Sequence, residues 1–236
     1  MEKGKLYGIG VGPGNPELMT LMSVRIIRES DVIFLPVSDK EKCHAYRIAK
    51  QAVQEIEEKQ IVGIDFPMTK DTDILQKAYE TVAEKMYKLL DEGKKIAFLT
   101  IGDVTVYSTF GYVAQIVEKR GYEVSYVNGI TSFTAVSAAL GLPLAEQDEE
   151  IHIIPASYEV EKSLSLNGTK VYMKSGKKLI ELTDKLEELQ KKEPLMVYAV
   201  ANCSMDNQKT ACSLSEIRNL EGYLVTVIVK NKKDSD

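Results

Sequence analysis

Short apolar runs recur along the first half of the chain, at Leu6 to Val11, Val32 to Leu35, Ile61 to Ile64, Ile96 to Ile101 and Val124 to Val127, and helical segments alternate with them. Strands buried on both faces have this near-continuous apolar character, and their alternation with helices confines the chain to an α/β fold with a mostly parallel sheet. Leu18, Leu21, Met22 and Ile26 fall at helical spacing, as do Ala78, Val82, Met86 and Leu89 in a later helix closed by Gly93, and both stripes are expected in the core. In the second half, Ile151 to Ile154, Lys170 to Met173, Leu195 to Val200 and Leu224 to Val229 are expected strands of a second α/β unit, with Leu179, Leu182, Leu186 and Leu189 striping a helix between them. Leu140 to Glu150 breaks a helix and then gathers four acids in its last five residues, as a surface connection does. The tail, Lys230 to Asp236, is expected to fray.

The first strand runs into a turn with glycines at 8, 10, 12 and 14, where backbone can adopt positive φ and another molecule can approach closely. A dinucleotide site is the obvious reading, and the following residues argue against it. Asn15 can cap a helix, Pro16 has no N–H to offer, and Glu17 puts a negative charge on the positive helix end. A pyrophosphate needs free amides there. The acid expected on the ribose is also misplaced, since Asp31 precedes the second strand instead of ending it.

A net charge of −5 with Lys and Glu intermixed gives no basic block for nucleic acid. No apolar stretch reaches the ~20 residues of a membrane span, and the opening Met-Glu-Lys-Gly-Lys is no signal sequence. A cytoplasmic protein without membrane or nucleic-acid partner is expected. Cys43, Cys203 and Cys212 suit reduced thiols, and His44 and His152 belong to no zinc spacing, so no protein-bound metal is expected.

Three strand ends lead into loops of small residues: Gly10 to Asn15, Gly102-Asp103, and Asn128 to Ser132. In a parallel sheet such ends share one edge, where ligands bind. Asp103 there either hydrogen-bonds a ligand hydroxyl or ammonium or forms a turn; Thr131 and Ser132 either touch a ligand or cap the helix that follows; Tyr107 and Ser108 are similarly ambiguous. No phosphate-binding Gly-x-x-x-x-Gly-Lys, Gly-x-Ser-x-Gly elbow or His-Glu-x-x-His helix occurs. A reaction that depends on positioning more than on a reactive side chain fits better.

Five segments together, Tyr7 to Thr20, Leu99 to Thr109, Asn128 to Phe133, Val171 to Lys174 and Val225 to Lys230, resemble the tetrapyrrole (corrin/porphyrin) methylase family in order along the chain. Tyr107-Ser108-Thr109 and the stretch 202–209 look most like its precorrin-2 or cobalt-factor II C20-methyltransferase branch. The resemblance implies two α/β domains, 1–128 with a mostly parallel sheet and 129–236 with a mixed one, an interdomain cleft that holds S-adenosylmethionine, and a homodimer. By family position Pro13, Ile101, Gly102, Asp103, Val106, Thr131, Ser132, Met173, Asn202 and Thr226 would contact that methyl donor, while Gly10, Gly12 and Gly14 would face the reduced tetrapyrrole. The chain departs from the family at Asn15, a frequent acid, and at Val104 and Asn128, both frequent prolines.

The implied reaction is an in-line transfer of methyl from sulfonium to the C20 meso carbon in cobalamin biosynthesis, which needs donor and acceptor in near-attack contact, ~3–3.5 Å. No base is assigned for the C20 proton. Arg25, Arg28, Lys174 and Lys177 either meet substrate carboxylates or are solvated charges. Methylation at another corrin carbon, a non-catalytic sensor of adenosyl or tetrapyrrole ligands, and a nicotinamide-dependent reductase are the alternatives.

Overall fold

The computed structural model describes residues 3–156 and 160–231. Among them are strands β1 (Lys5–Gly10), β2 (Val32–Leu35), β3 (Gln60–Gly63), β4 (Lys95–Thr100), β5 (Glu123–Val127), β6 (Ile151–Pro155), β7 (Thr169–Met173), β8 (Leu195–Ala201), β9 (Lys209–Ala211) and β10 (Val225–Asn231). The helices are α1 (Leu21–Glu29), α2 (His44–Ala52), α3 (Thr72–Asp91), α4 (Phe110–Lys119), α5 (Ser132–Leu140), α6 (Glu161–Leu164), α7 (Leu179–Gln190) and α8 (Leu214–Ile217). They divide between two compact units, Met1–Thr131 and Ser132–Asp236.

The first unit is built on a sheet of order β3-β2-β4-β1-β5 in which each pairing is parallel. Val32, Ile33, Phe34 and Leu35 of β2 are all buried, as strands covered on both faces must be. Tyr79, Val82, Ala83, Met86 and Leu90 of α3 pack with Val113, Ala114 and Val117 of α4 over Leu6, Phe34, Ile96 and Phe98. Asp71 starts α3, its Oδ1 accepting from Asp73 N at 2.9 Å and Ile74 N at 3.2 Å, and Gly93 follows its end at φ 78°.

Helix α1 differs from its expected form. Asn15 caps only a 3-10 turn, Pro16–Leu18, and the chain is extended at Met19 and Thr20 before α1 begins. Thr20 is the cap, its Oγ1 accepting from Ser23 N at 3.1 Å. The helical phase therefore restarts at Leu21. Ser23, Ile26 and Ile27 face the core, while Leu21 is 91 % exposed and Met22 48 %.

In the second unit the order is β6-β7-β10-β8-β9. β6 runs parallel to β7, and the β7–β10, β10–β8 and β8–β9 pairings are antiparallel, so the sheet is mixed. Leu179, Leu182 and Leu186 of α7 cover Tyr172, Val197, Ala199 and Val227. The tail is ordered further than expected: Lys230 and Asn231 belong to β10, and buried Lys230 donates to Pro143 O and Leu144 O, both at 3.0 Å. Residues 232–236 lie outside the described residues.

Candidate functional site

Because the first sheet is parallel, the loops after β1, β4 and β5 leave the same edge. They are joined there by backbone. Gly12 N donates to Gly102 O at 3.1 Å and Gly102 N to Gly12 O at 2.7 Å, a bridge beyond the ends of the strands. A Cβ on Gly10 would lie 2.6 Å from both Gly102 O and Gly129 N, and one on Gly129 would overlap the Gly102 carbonyl. These two glycines are therefore required for three backbones to touch.

Gly102 is different. It is buried and held at φ 73°, yet an added Cβ would meet nothing closer than Ile130 O at 4.0 Å. Its α-carbon faces unfilled space of the kind a ligand can occupy. Pro13 and Gly14 are buried beside the bridge, and Ile101 and Val106 are partly exposed. Val104, where the family often has proline, is 1 % exposed and packs into the core with Phe98 and Phe110.

Asp103 is 6 % exposed, and its carboxylate is the bolt of this edge. Oδ1 accepts from Thr105 N at 2.8 Å and from Thr105 Oγ1; Oδ2 accepts from Gly129 N at 2.9 Å and Asn128 Nδ2 at 3.3 Å. Burial pushes the Asp103 carboxyl up, but the hydrogen bonds from Thr105, Gly129 and Asn128 outweigh it and hold the group below the usual carboxylate range. Four donors match the roughly four lone-pair positions of a carboxylate, so Asp103 ties the β4 loop to the β5 loop. Ser23, not singled out in the sequence, joins them from α1: its Oγ donates to Gly10 O at 3.0 Å and to Asn128 O at 3.4 Å. A lone serine in the first turn of a helix carries no signal of that role.

The turn Pro16–Leu18 bears on the nucleotide alternative. Asn15 Oδ1 accepts from Glu17 N at 2.9 Å, so that amide is already used, and Asp31 Oδ2 accepts from Lys95 N at 2.8 Å. Neither supplies what a dinucleotide requires. Arg25 is paired with Glu29 at 3.0 Å and Arg28 with Glu55 at 3.6 Å, as surface charges.

In the second unit, Met173, Asn202 and Thr226 share one edge because β10 runs antiparallel to β7 and β8, bringing its start beside their ends. Ser175 N donates to Val225 O, and Asn202 N to Leu224 O, both at 2.9 Å. Met173 and Thr226 are nearly buried, and Asn202 sits at φ 51°. Close backbone approach recurs: a Cβ on Gly176 would overlap Gly222 O, while Gly222, at φ 101°, has open space out to Asn202 Oδ1 at 4.0 Å. Lys174, also at positive φ, has its ammonium pKa pushed down by burial. Thr131 ends the first unit and Ser132 opens α5. Among the described residues, no group of three or more His, Cys, Asp or Glu is placed to hold a metal ion, and no helix is long and apolar enough to cross a membrane.

The sequence profile of the Tetrapyrrole (Corrin/Porphyrin) Methylases matches residues 5–218. The chain belongs to this family. It is 37 % identical over 233 residues, 97 % of each chain, to a probable cobalt-precorrin-2 C(20)-methyltransferase of Methanocaldococcus jannaschii. To the cobalt-precorrin-2 C(20)-methyltransferase of Salmonella typhimurium it is 28 % identical over 72 % of this chain and 73 % of the other. Its fold matches a cobalt precorrin-4 methyltransferase at a TM-score of 0.76, with 17 % identity over 96 % of this chain and 94 % of that one. The uroporphyrin-III C-methyltransferase of Thermus thermophilus complexed with S-adenosylhomocysteine matches at 0.70, with 18 % identity over 96 % and 97 % of the two chains.

Proposed function

We propose that this protein is an S-adenosylmethionine-dependent C-methyltransferase that methylates C20 of precorrin-2, or of its cobalt-loaded counterpart, in cobalamin biosynthesis. The observation that carries the reading is the 37 % identity to a probable C20-methyltransferase across 97 % of both chains. The likeness runs nearly the full length of both chains and is not confined to one shared domain.

The donor is assigned to Pro13, Ile101, Gly102, Asp103, Val106, Thr131, Ser132, Met173, Asn202 and Thr226, and the macrocycle to the turn of Gly10, Gly12 and Gly14. The open side of Gly102 fits this assignment, since a bound group can approach the main chain there. When bound, S-adenosylmethionine supplies an electrophilic methyl on a sulfonium sulfur. The chain's part is to align and to exclude water. Asp103 fixes the loops after β4 and β5 in one arrangement through four hydrogen bonds, so the backbone groups that orient the donor need not reorganise during the reaction. A cobalt ion, where the substrate carries one, belongs to the macrocycle. A homodimer in the cytoplasm is part of the same reading.

The test is incubation with methyl-labelled S-adenosylmethionine and reduced tetrapyrrole, metal-free and cobalt-loaded, followed by mass and carbon-NMR analysis. One methyl at C20 is expected. Label at another carbon would move the protein within the family, and binding without transfer would make it a sensor.

A further inference from the structure

Asn128, in the loop after β5, is hydrogen-bonded to both of the neighbouring loops. Its side-chain Nδ2 donates to Asp103 Oδ2 at 3.3 Å, which reaches the loop after β4. Its carbonyl oxygen meets the start of α1, with Thr20 Oγ1 at 3.3 Å and Ser23 Oγ at 3.4 Å, and Ser23 Oγ also donates to Gly10 O at 3.0 Å, at the end of β1. Gly129, the next residue, gives a second donor to the same Asp103 oxygen at 2.9 Å. One residue thus joins the loops after β1, β4 and β5.

This clasp differs from the rest of the edge in its exposure. Asp103 is buried and Gly129 is packed against backbone, whereas Asn128 is exposed and is not among the residues with left-handed backbone. Hydrogen bonds open to solvent are exchanged for bonds to water when they break, so they add little to global stability. Their effect is local, because they remove freedom from the segment that carries them. Here that segment leads to Thr131, assigned to the methyl donor. Ile130 between them is 39 % exposed, so burial of its side chain does little to hold the stretch.

We propose that Asn128 is a positioning residue for the methyl donor: its amide and carbonyl hold the loop after β5 in the arrangement that receives the donor, so that the loop is ordered before binding. The proposal rests on the methyltransferase reading and adds to it a residue that acts through the loop and not by contact with the donor. Ordering the backbone of one residue at the moment of binding costs about tenfold in affinity, and that is the loss expected when the clasp is removed.

The test compares Asn128→Ala and Asn128→Asp with the wild-type protein by calorimetric titration of S-adenosylhomocysteine, hydrogen exchange of the amides of residues 129–131 in the ligand-free protein, and melting. N128A lacks the side-chain donor, and N128D replaces it with a carboxylate that cannot donate to Asp103. N128A is expected to bind S-adenosylhomocysteine about tenfold more weakly, to exchange the 129–131 amides about tenfold faster, and to melt within about 2 °C of wild type; N128D is expected to bind no better than N128A. S-adenosylhomocysteine affinity within about twofold of wild type in N128A overturns the proposal, as does N128D binding as tightly as wild type. A fall of more than about 5 °C in the melting temperature of N128A overturns it by making Asn128 a prop of the fold. Weaker binding with unchanged exchange overturns it by putting Asn128 in contact with the donor. A wild-type protein that binds no S-adenosylhomocysteine defeats the methyl-donor reading itself, whereas wild type and N128A that bind it equally well defeat this proposal alone.

Discussion

At the scale of single residues, Asp103 and the glycines around it separate folding from binding. Replacing Asp103 by Asn keeps one acceptor but turns an amide toward the Gly129 N–H and Asn128 side chain, both donors. The cost expected from urea denaturation at pH 7 is about 2 kcal/mol, the range for stranding a buried hydrogen-bonding group. The pH dependence has a definite sign. The folded-state pKa of Asp103 lies below its ordinary 3.8, so its stabilisation is complete above that value and fades as pH falls through the lower folded one. The difference between wild type and D103N should shrink only in that acid range. Gly129→Ala and Gly102→Ala should behave as opposites. A methyl on Gly129 collides with the Gly102 carbonyl, so G129A is expected to be strongly destabilised. G102A has room for its methyl and bears only the cost of left-handed backbone, about 1–2 kcal/mol, so it is expected to fold and to lose affinity for S-adenosylhomocysteine in calorimetric titration, because the methyl fills the space assigned to the donor.

At the scale of elements, β10 and the 141–150 connection are held by a nearly buried ion pair. Lys230 Nζ lies 3.1 Å from Glu149 Oε2, and Thr169 Oγ1 donates to Glu149 Oε1 at 2.8 Å. Removing one partner of such a pair leaves the other charge stranded at about 3–5 kcal/mol, whereas removing both costs much less than the sum. Lys230→Met is expected to lower the urea midpoint more than the double variant Lys230→Met, Glu149→Leu does; equal or additive losses would show that the pair is not coupled. This pair was invisible in the sequence, where Lys230 looked like the start of a solvated tail and Glu149 like one acid among four. Inner strands such as β2, β4, β7 and β10 were legible because burial on two faces leaves an apolar run whatever the partner strand. By contrast β9 spans three residues with only Ala211 buried, too little to register. The phase of α1 was misjudged because two extended residues, Met19 and Thr20, interrupt an apolar spacing that looks continuous. The loop edge was legible through its glycines and Asp103. What could not be read was which glycines pack against backbone and which one faces open space, since that depends on contacts between loops far apart in the chain, Gly10 with Gly102 and Gly129 among them.

At the scale of the whole molecule, two α/β units of one chain need not melt together, because multi-unit proteins often depart from a single cooperative transition. A ligand bound only by the folded state stabilises it by RT ln(1 + [L]/Kd), about 2.7 kcal/mol at a hundredfold excess over Kd. For a chain of this size that amounts to roughly 5–10 °C in melting temperature. S-adenosylhomocysteine at that excess is therefore expected to raise the transition of the unit whose unfolding releases it by that amount. NADH at the same concentration should leave the transitions where they are, since the Glu17 amide and Asp31 that a dinucleotide would need are already committed to Asn15 and Lys95. A shift with NADH alone would remove the basis for assigning any methyl donor to these loops.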